Sequence, residues 1–358
     1  MSSRSARDYE DIQDDFRGRA SGRGSRPRSK RRPGHEDAAL ARVTGVDRGR
    51  YSCRLETDDP SSGVEVSAVR ARELRRGGVV VGDRVALVGD VSGEPGTLAR
   101  LVRVEPRRTS LRRTADDSDP EERVIVANAD QLGIVTSATD PEPRPRLIDR
   151  CLVAAYDGGL QPLLVVTKTD LASQDALVAA YQSLDVRVVA VRRDGDWAPL
   201  RSALTGHRTV LVGPSGVGKS TLVNALVPEA ERAVGGVNPV TGRGRHTSSS
   251  ALALPLPDGG WVIDTPGVRS FGLAHVDLAR VLHAFPDLDT GTARCPRGCD
   301  HRDATCGLDA WVADGHASPA RLDSLRRLLA ARDAAEEPSG GGPPSSAVTQ
   351  PTTDWSEG

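Results

Sequence analysis

Lysine is almost missing from this chain. Its 358 residues carry 48 Lys plus Arg side chains, and only three, Lys30, Lys168 and Lys219, are lysine. A lysine kept against that background marks a place where a compact ammonium or a bare aliphatic stem serves better than a planar guanidinium. Long apolar runs are absent too: nothing reaches the ~20 residues that span a bilayer, and no apolar secretory segment follows Met1. The expectation is a soluble, cytoplasmic protein with no membrane partner. Cysteine is sparse. Of five, three crowd together at 295, 299 and 306, while Cys53 and Cys151 stand apart. That spacing argues against a disulfide framework and for a metal site in a reducing compartment. Aromatic residues make up only 3%, so any nucleic-acid contact must lean on phosphate and shape more than on stacked bases.

Net charge is nearly absent as well, at −1, but its distribution is uneven. Residues 17–32 hold eight cations and no anion. Residues 1–37 read as a disordered basic arm, able to hold nucleic-acid phosphates or simply to solubilise the chain. The acidic, Pro/Gly/Ser-rich residues 336–358 read as a disordered tail.

The length allows two or three domains between those ends. Residues 38–106 alternate short apolar runs with Gly and polar turns, as in RYSCRLE, GVEVSAV and VVVGDRVALVGD. Five such runs fit a small β-barrel of the oligonucleotide/oligosaccharide-binding (OB) type, with Arg42, Arg48, Arg50 and Arg54 available to RNA. Residues 107–122 are a polar linker. From 123 to 274, apolar strands (RVIVAN, QLGIVTS, PLLVVTKTD, VRVVAV, RTVLVGP, GWVIDTP) alternate with helical stretches. This pattern specifies a mostly parallel sheet with helices on both faces. Residues 275–335 hold the cysteine cluster and end in SPARLDSLRRLLAAR, whose leucines at 322, 325, 328 and 329 share one helical face.

Four phrases carry the chemistry. Gly213-Pro214-Ser215-Gly216-Val217-Gly218-Lys219-Ser220, followed by Thr221, matches G-x-x-x-x-G-K-[ST] between an apolar strand and a helix. Backbone N–H groups and the helix N-terminus there cradle phosphates, Lys219 reaches the β- and γ-phosphates, and Ser220 ligates Mg²⁺. Asp264-Thr265-Pro266-Gly267 ends a strand downstream, where Asp264 can hold Mg²⁺ through water and the Gly267 N–H can meet the γ-phosphate. Thr167-Lys168-Thr169-Asp170 ends another strand; Asp170 can accept two bonds from guanine that adenine cannot offer, and the Lys168 stem can lie along the ring. Thr167 stands where such motifs usually carry Asn. In the polar stretch 244–250, Thr247, with Ser248 second, supplies a hydroxyl for Mg²⁺ and the γ-phosphate; His246 is a candidate for hydrolysis or a partner contact. Val268 follows Gly267 and cannot orient water, so hydrolysis without a partner should be slow.

Cys295, Cys299, His301 and Cys306 supply three thiolates and one imidazole, a closed Cys₃His shell for one structural Zn²⁺, with His316 a weaker alternative to His301.

The phrase order is unusual: TKTD precedes the phosphate loop, whereas most GTP-binding domains place it late. TKTD, GPSGVGKST, GRHTSSS, DTPGVRSFGL, the cysteine cluster, and VGDRV followed by PRRTSLRR together resemble the YjeQ/RsgA family of circularly permuted, small-ribosomal-subunit-dependent GTPases. The resemblance runs from about residue 38 to 332. It implies a barrel, a permuted GTPase domain and a zinc subdomain. It also implies GTP hydrolysis stimulated by the small subunit during late maturation, with the subunit, its rRNA and GTP/GDP as partners and the protein acting as a monomer. Two other classes stay open: an RNA-binding protein whose nucleotide is mainly structural, and a phosphate-loop ATPase or kinase, which Asp170 disfavours.

Overall fold

A computed structural model describes residues 35–57, 63–72, 74, 78–114, 122–227, 251–265, 271, 273, 276–303 and 305–333. The basic arm, the acidic tail, His246, Thr247, Ser248, Gly267 and Val268 lie outside these residues. The chain divides into Met1–Glu36 and Asp37–Gly358; the second unit is described below.

β1 (Ala39–Asp47), β2 (Arg50–Leu55), β3 (Glu65–Arg70), β4 (Arg84–Gly89) and β5 (Ala99–Val104) close into a barrel in the order β1-β2-β3-β5-β4-β1. β3 pairs β5 parallel, and the other pairs are antiparallel, which is the OB arrangement. The interior is narrow and filled by small and branched side chains, with Ala41, Val43, Ala68, Val85, Ala99 and Leu101 fully buried. Cys53 joins them, and burial pushes its thiol up to about 12, leaving it inert. A bulge between Val43 and Gly45 bends β1, so residues 39–42 pair with β4 while Gly45 reaches another strand.

The stretch expected to be a polar linker contains a strand, β6 (Ser110–Thr114), paired antiparallel with β7 (Glu122–Ala127). RVIVAN therefore lies in a separate two-stranded ribbon and not in the parallel sheet. Asp83, fully buried in the turn before β4, receives two bonds from Arg107, 2.7 and 2.8 Å, tying this ribbon to the barrel.

The central sheet runs β10-β9-β8-β11-β13-β12. Its elements are β8 (Gln131–Ser137), α1 (Pro145–Gly158), β9 (Gln161–Thr167), α2 (Asp175–Tyr181), β10 (Arg187–Ala190), α3 (Ala198–Leu204), β11 (Arg208–Val212), α4 (Lys219–Leu226), β12 (Leu252–Pro255) and β13 (Trp261–Asp264). All pairs are parallel except β12 with β13. Every residue of β8 is buried, as in a strand covered on both faces. α1 and α2 cover one face; α3 and α4 cover the other. α1 starts with Pro145 and stops at Gly159, whose φ of 70° closes the last turn.

α5 (Leu278–His283), α6 (Pro286–Gly291), α7 (Gly307–Ala313) and α8 (Pro319–Asp333) form the C-terminal part. Leu322, Leu325, Leu328 and Leu329 of α8 are buried in one core with α1. Each such leucine contributes roughly 1.5–3 kcal/mol. Arg327 Nε lies 3.2 Å from the buried Asp149 carboxylate on α1, and Ser183 shares a 2.7 Å bond with Ser324. The helical part is thus built onto the central domain by a shared core.

Candidate functional site: the phosphate loop and the Cys/His cluster

Sheet order explains where the phrases meet. β8, β9 and β10 progress outward to one edge, and the chain then returns to lay β11 on the other side of β8. At such a switch point the loops leaving adjacent strands part and open a crevice. The loop after β11 is Gly213–Gly218. Gly213 takes φ 150°, and a Cβ there would lie 2.2 Å from the Val135 carbonyl of β8, so only glycine lets the loop start against that strand. Gly218, at φ 93°, turns the chain into α4. A small cavity beside the loop is lined by Val135, Thr136, Gly213, Pro214, Leu147 and Cys151.

Lys219 folds over its own loop and donates to the carbonyls of Gly213 (2.5 Å) and Pro214 (2.9 Å). Burial lowers its pKa, and the nearby Asp264 carboxylate pulls the other way. Burial raises the pKa of Asp264, opposed by Lys219 and by the Thr265 N–H. A lysine at the start of α4 and a carboxylate at the end of β13, close enough to feel each other's charge, can serve a phosphate and its metal. Thr265 donates its hydroxyl to Leu211 at 2.9 Å, fixing the start of the Asp264 phrase to the phosphate-loop strand. Ser215, Ser220 and Thr221 are exposed, and Val217 is buried.

Thr167 is buried at the end of β9, and its hydroxyl contacts the Val217 carbonyl at 2.6 Å and the Thr136 carbonyl at 3.1 Å. The residue that departs from the usual Asn therefore anchors the phosphate loop to the TKTD strand. Lys168, with φ 58°, directs its ammonium to the Asp140 carbonyl. Thr169 donates to Val191 at 3.3 Å, and Asp170 is exposed beyond it. Sequence reasoning missed β12. Its signal was present in ALALPLPDGG, an apolar run ending in an Asp-Gly turn.

In the C-terminal part, the candidate ligand atoms of Cys295, Cys299, His301 and Cys306 all lie within 4.8 Å of one another. Cys295 Sγ is 3.8 Å from Cys306 Sγ and 3.5 Å from His301 Nδ1; Cys306 Sγ is 3.7 Å from Nδ1. Thiolates ~2.3 Å from a tetrahedral ion sit about 3.8 Å apart, so the donors are spaced to hold a metal ion. The cysteines are unbridged. His316 instead stacks on Trp311, centroids 3.9 Å apart, and is outside the cluster.

The strand order and the joined phosphate and TKTD loops define a phosphate-loop GTPase domain. It is circularly permuted: numbering the same sheet from β11 restores the usual order, with the phosphate loop first and TKTD late. The family model described as RsgA GTPase matches residues 104–274. The small ribosomal subunit biogenesis GTPase RsgA of Pseudomonas syringae pv. tomato is 38% identical over 300 residues, 80% of this chain and 85% of the relative. That of Pseudomonas fluorescens is 35% identical, covering 85% and 92%. Two solved folds align as well. YjeQ from Thermotoga maritima has a TM-score of 0.59 at 24% identity, covering 82% of this chain and 97% of that one. YloQ, a circularly permuted GTPase, has 0.60 at 23%, covering 86% and 99%. The chain belongs to the RsgA family of GTPases. Among the described residues no helix is long and apolar enough to cross a membrane.

Proposed function

We propose that this chain binds the small ribosomal subunit and hydrolyses GTP during the subunit's late maturation, with turnover stimulated by the subunit. The observation that carries the nucleotide half is the Thr167–Val217 contact, which brings the phosphate loop and the TKTD strand into one site. The ribosomal half is supported by the names of relatives similar over most of the chain.

In this reading the 213–221 loop and Lys219 bind the phosphates, the Gly267 N–H meets the γ-phosphate, and Lys168, Thr169 and Asp170 hold the guanine. Ser220, Thr247 and Asp264 would hold the Mg²⁺ that accompanies GTP, which neutralises phosphate charge when bound. Thr247 and His246 are the proposed catalytic residues. Val268 leaves the attacking water unplaced, which is the physical reason to expect stimulation by the subunit. The Cys₃His donors are best suited to one structural Zn²⁺ per chain, since no position is left open for a substrate. The barrel and basic arm supply RNA contact, and the protein works as a cytoplasmic monomer.

The test is phosphate release from GTP and from ATP, with and without purified small subunits. GTP turnover that rises with subunits is expected. Turnover indifferent to subunits would remove the ribosomal half. Binding without turnover in either condition would favour a structural nucleotide, and a preference for ATP would overturn the guanine assignment.

A further inference from the structure

His301 is gripped through its backbone as well as its ring. It takes φ 63°, in the left-handed region that few residues other than glycine enter. Its N–H points at Cys299 Sγ, 3.3 Å away. Its buried ring keeps Nδ1 3.5 Å from Cys295 Sγ and 3.7 Å from Cys306 Sγ. A backbone strained in this way persists only where the surroundings hold it. The hold on the carbonyl comes from another element: Arg326 of α8 donates Nε to the His301 carbonyl at 3.1 Å. The same guanidinium is fixed by the Asp309 carboxylate of α7, at 3.0 and 2.7 Å. A forked, charge-assisted pair sets direction as well as distance. The residues on either side of Arg326 meet α1 instead, Leu325 in the shared core and Arg327 at Asp149.

We propose that Arg326 is a positioning residue of the metal centre: by holding the His301 carbonyl it sets the imidazole as fourth donor beside the three cysteines. Groups that orient a metal's histidine ligand typically carry about a 10- to 100-fold share of the affinity. This inference rests on the metal-site reading above.

The test uses the full chain, the variants Arg326→Gln and Arg326→Lys, and Arg321→Gln as a control. Arg321 also ties α8 down, but to Asp287, Asp185 and the Ser183 carbonyl. Zinc affinity is read by competition with a chromophoric chelator, the ligand set by the visible absorption of the Co²⁺-loaded chain, and stability by melting temperature. In Arg326→Gln, zinc affinity should fall about 10- to 100-fold. Its Co²⁺ bands should shift toward those of His301→Ala. Arg326→Lys keeps the charge but cannot fork between His301 and Asp309, so an intermediate loss is expected. Arg321→Gln should keep zinc affinity within about twofold, whatever its melting temperature. Parent affinity in Arg326→Gln, or equal losses in Arg326→Gln and Arg321→Gln, would overturn the proposal, because a merely structural grip on α8 affects both alike. Lost affinity with unchanged Co²⁺ bands would also overturn it, since the imidazole would then sit as before. If Arg326→Gln does not fold, Arg326→Lys decides by the same comparison with Arg321→Gln. A parent chain that binds no zinc would overturn the metal-site reading itself, which separates that failure from this one.

Discussion

Thr167→Val keeps the β-branch and the volume of the side chain and deletes only its hydroxyl. The hydroxyl makes the 2.6 Å contact to the carbonyl of Val217, a buried residue of the phosphate loop. Removing one partner of a buried hydrogen bond costs about 1–3 kcal/mol. Valine offers no replacement donor, so the cost falls on the loop conformation in which Val217 meets β9. If nucleotide binds only that conformation, apparent affinity drops in proportion to its remaining population. At ~1.4 kcal/mol per decade, the loss is about 5-fold at the low end and about 150-fold at the high end. Titration with a fluorescent GDP analogue reads this directly, and a thermal melt reports whether the fold survives. Thr167→Asn, which carries an amide donor, should bind GDP at least as well as the parent. If Thr167→Val binds GDP within twofold of the parent, the contact does not organise the loop and the reasoning is wrong.

Other expectations follow from the same geometry. Lys219→Ala should remove detectable nucleotide binding, since it deletes the ammonium that lies over the loop; normal GDP affinity would refute the phosphate-loop assignment. Burial raises the pKa of Asp264 in the folded chain, so the nucleotide-free fold holds that proton more tightly than the unfolded chain does. Its contribution to stability is therefore lost as pH rises from the ordinary carboxylate value of ~3.9 through the raised one. Asp264→Asn should flatten that part of the stability–pH curve in metal-free buffer, and an unchanged slope would count against it. Cys299→Ser should lose one equivalent of bound metal by elemental analysis; stoichiometric zinc in the variant would contradict the ligand set. Leu325→Ala, at a fully buried position between α8 and α1, should destabilise by about 2–5 kcal/mol in denaturant unfolding.

Local chemistry was legible in the sequence wherever a few adjacent residues carry it. The Gly and Lys positions of the phosphate loop, the cysteine spacing and the leucine face of α8 each sit within a short window; the cysteines and His301 do cluster, and the four leucines are buried together. The barrel was legible because β2 and β3 alternate exposed and buried residues and its core cluster is built from small and branched apolar side chains. What failed was membership. RVIVAN reads as a strand, and it is one, but periodicity cannot say which sheet a strand joins. Ser110–Thr114 has one apolar residue, Leu111, among polar neighbours, so only pairing with β7 makes it a strand. Thr167 looked like a weakened base contact because its value lies in a residue fifty positions away, and no local pattern encodes that pairing.

The permutation leaves the nucleotide-site order of the sheet intact and changes what is attached to it. β12 is the last strand of the central sheet, and an uncovered edge there would offer unpaired backbone groups to other chains. The barrel covers it: Gly45 of β1 pairs with Leu252, and the two domains share one continuous sheet. A second contact lies beside the first, with the Arg54 guanidinium 5.6 Å from the Trp261 ring centre at the start of β13. Contacts of that kind contribute about 0.5–2 kcal/mol, small against the barrel's own core. β12 follows the stretch with His246 and Thr247 in sequence, and β13 ends in Asp264. The barrel therefore rests on the two strands that run to the proposed γ-phosphate residues. On the other face, α1 joins the same phrase to the C-terminal helices through Arg150 and Asp149. The barrel and the helical part with the Cys/His cluster are thus each one side chain or one strand pair away from the nucleotide phrases. In the permuted order the chain leaves the central sheet at the end of β13, so the helical part follows the Asp264 phrase directly in sequence.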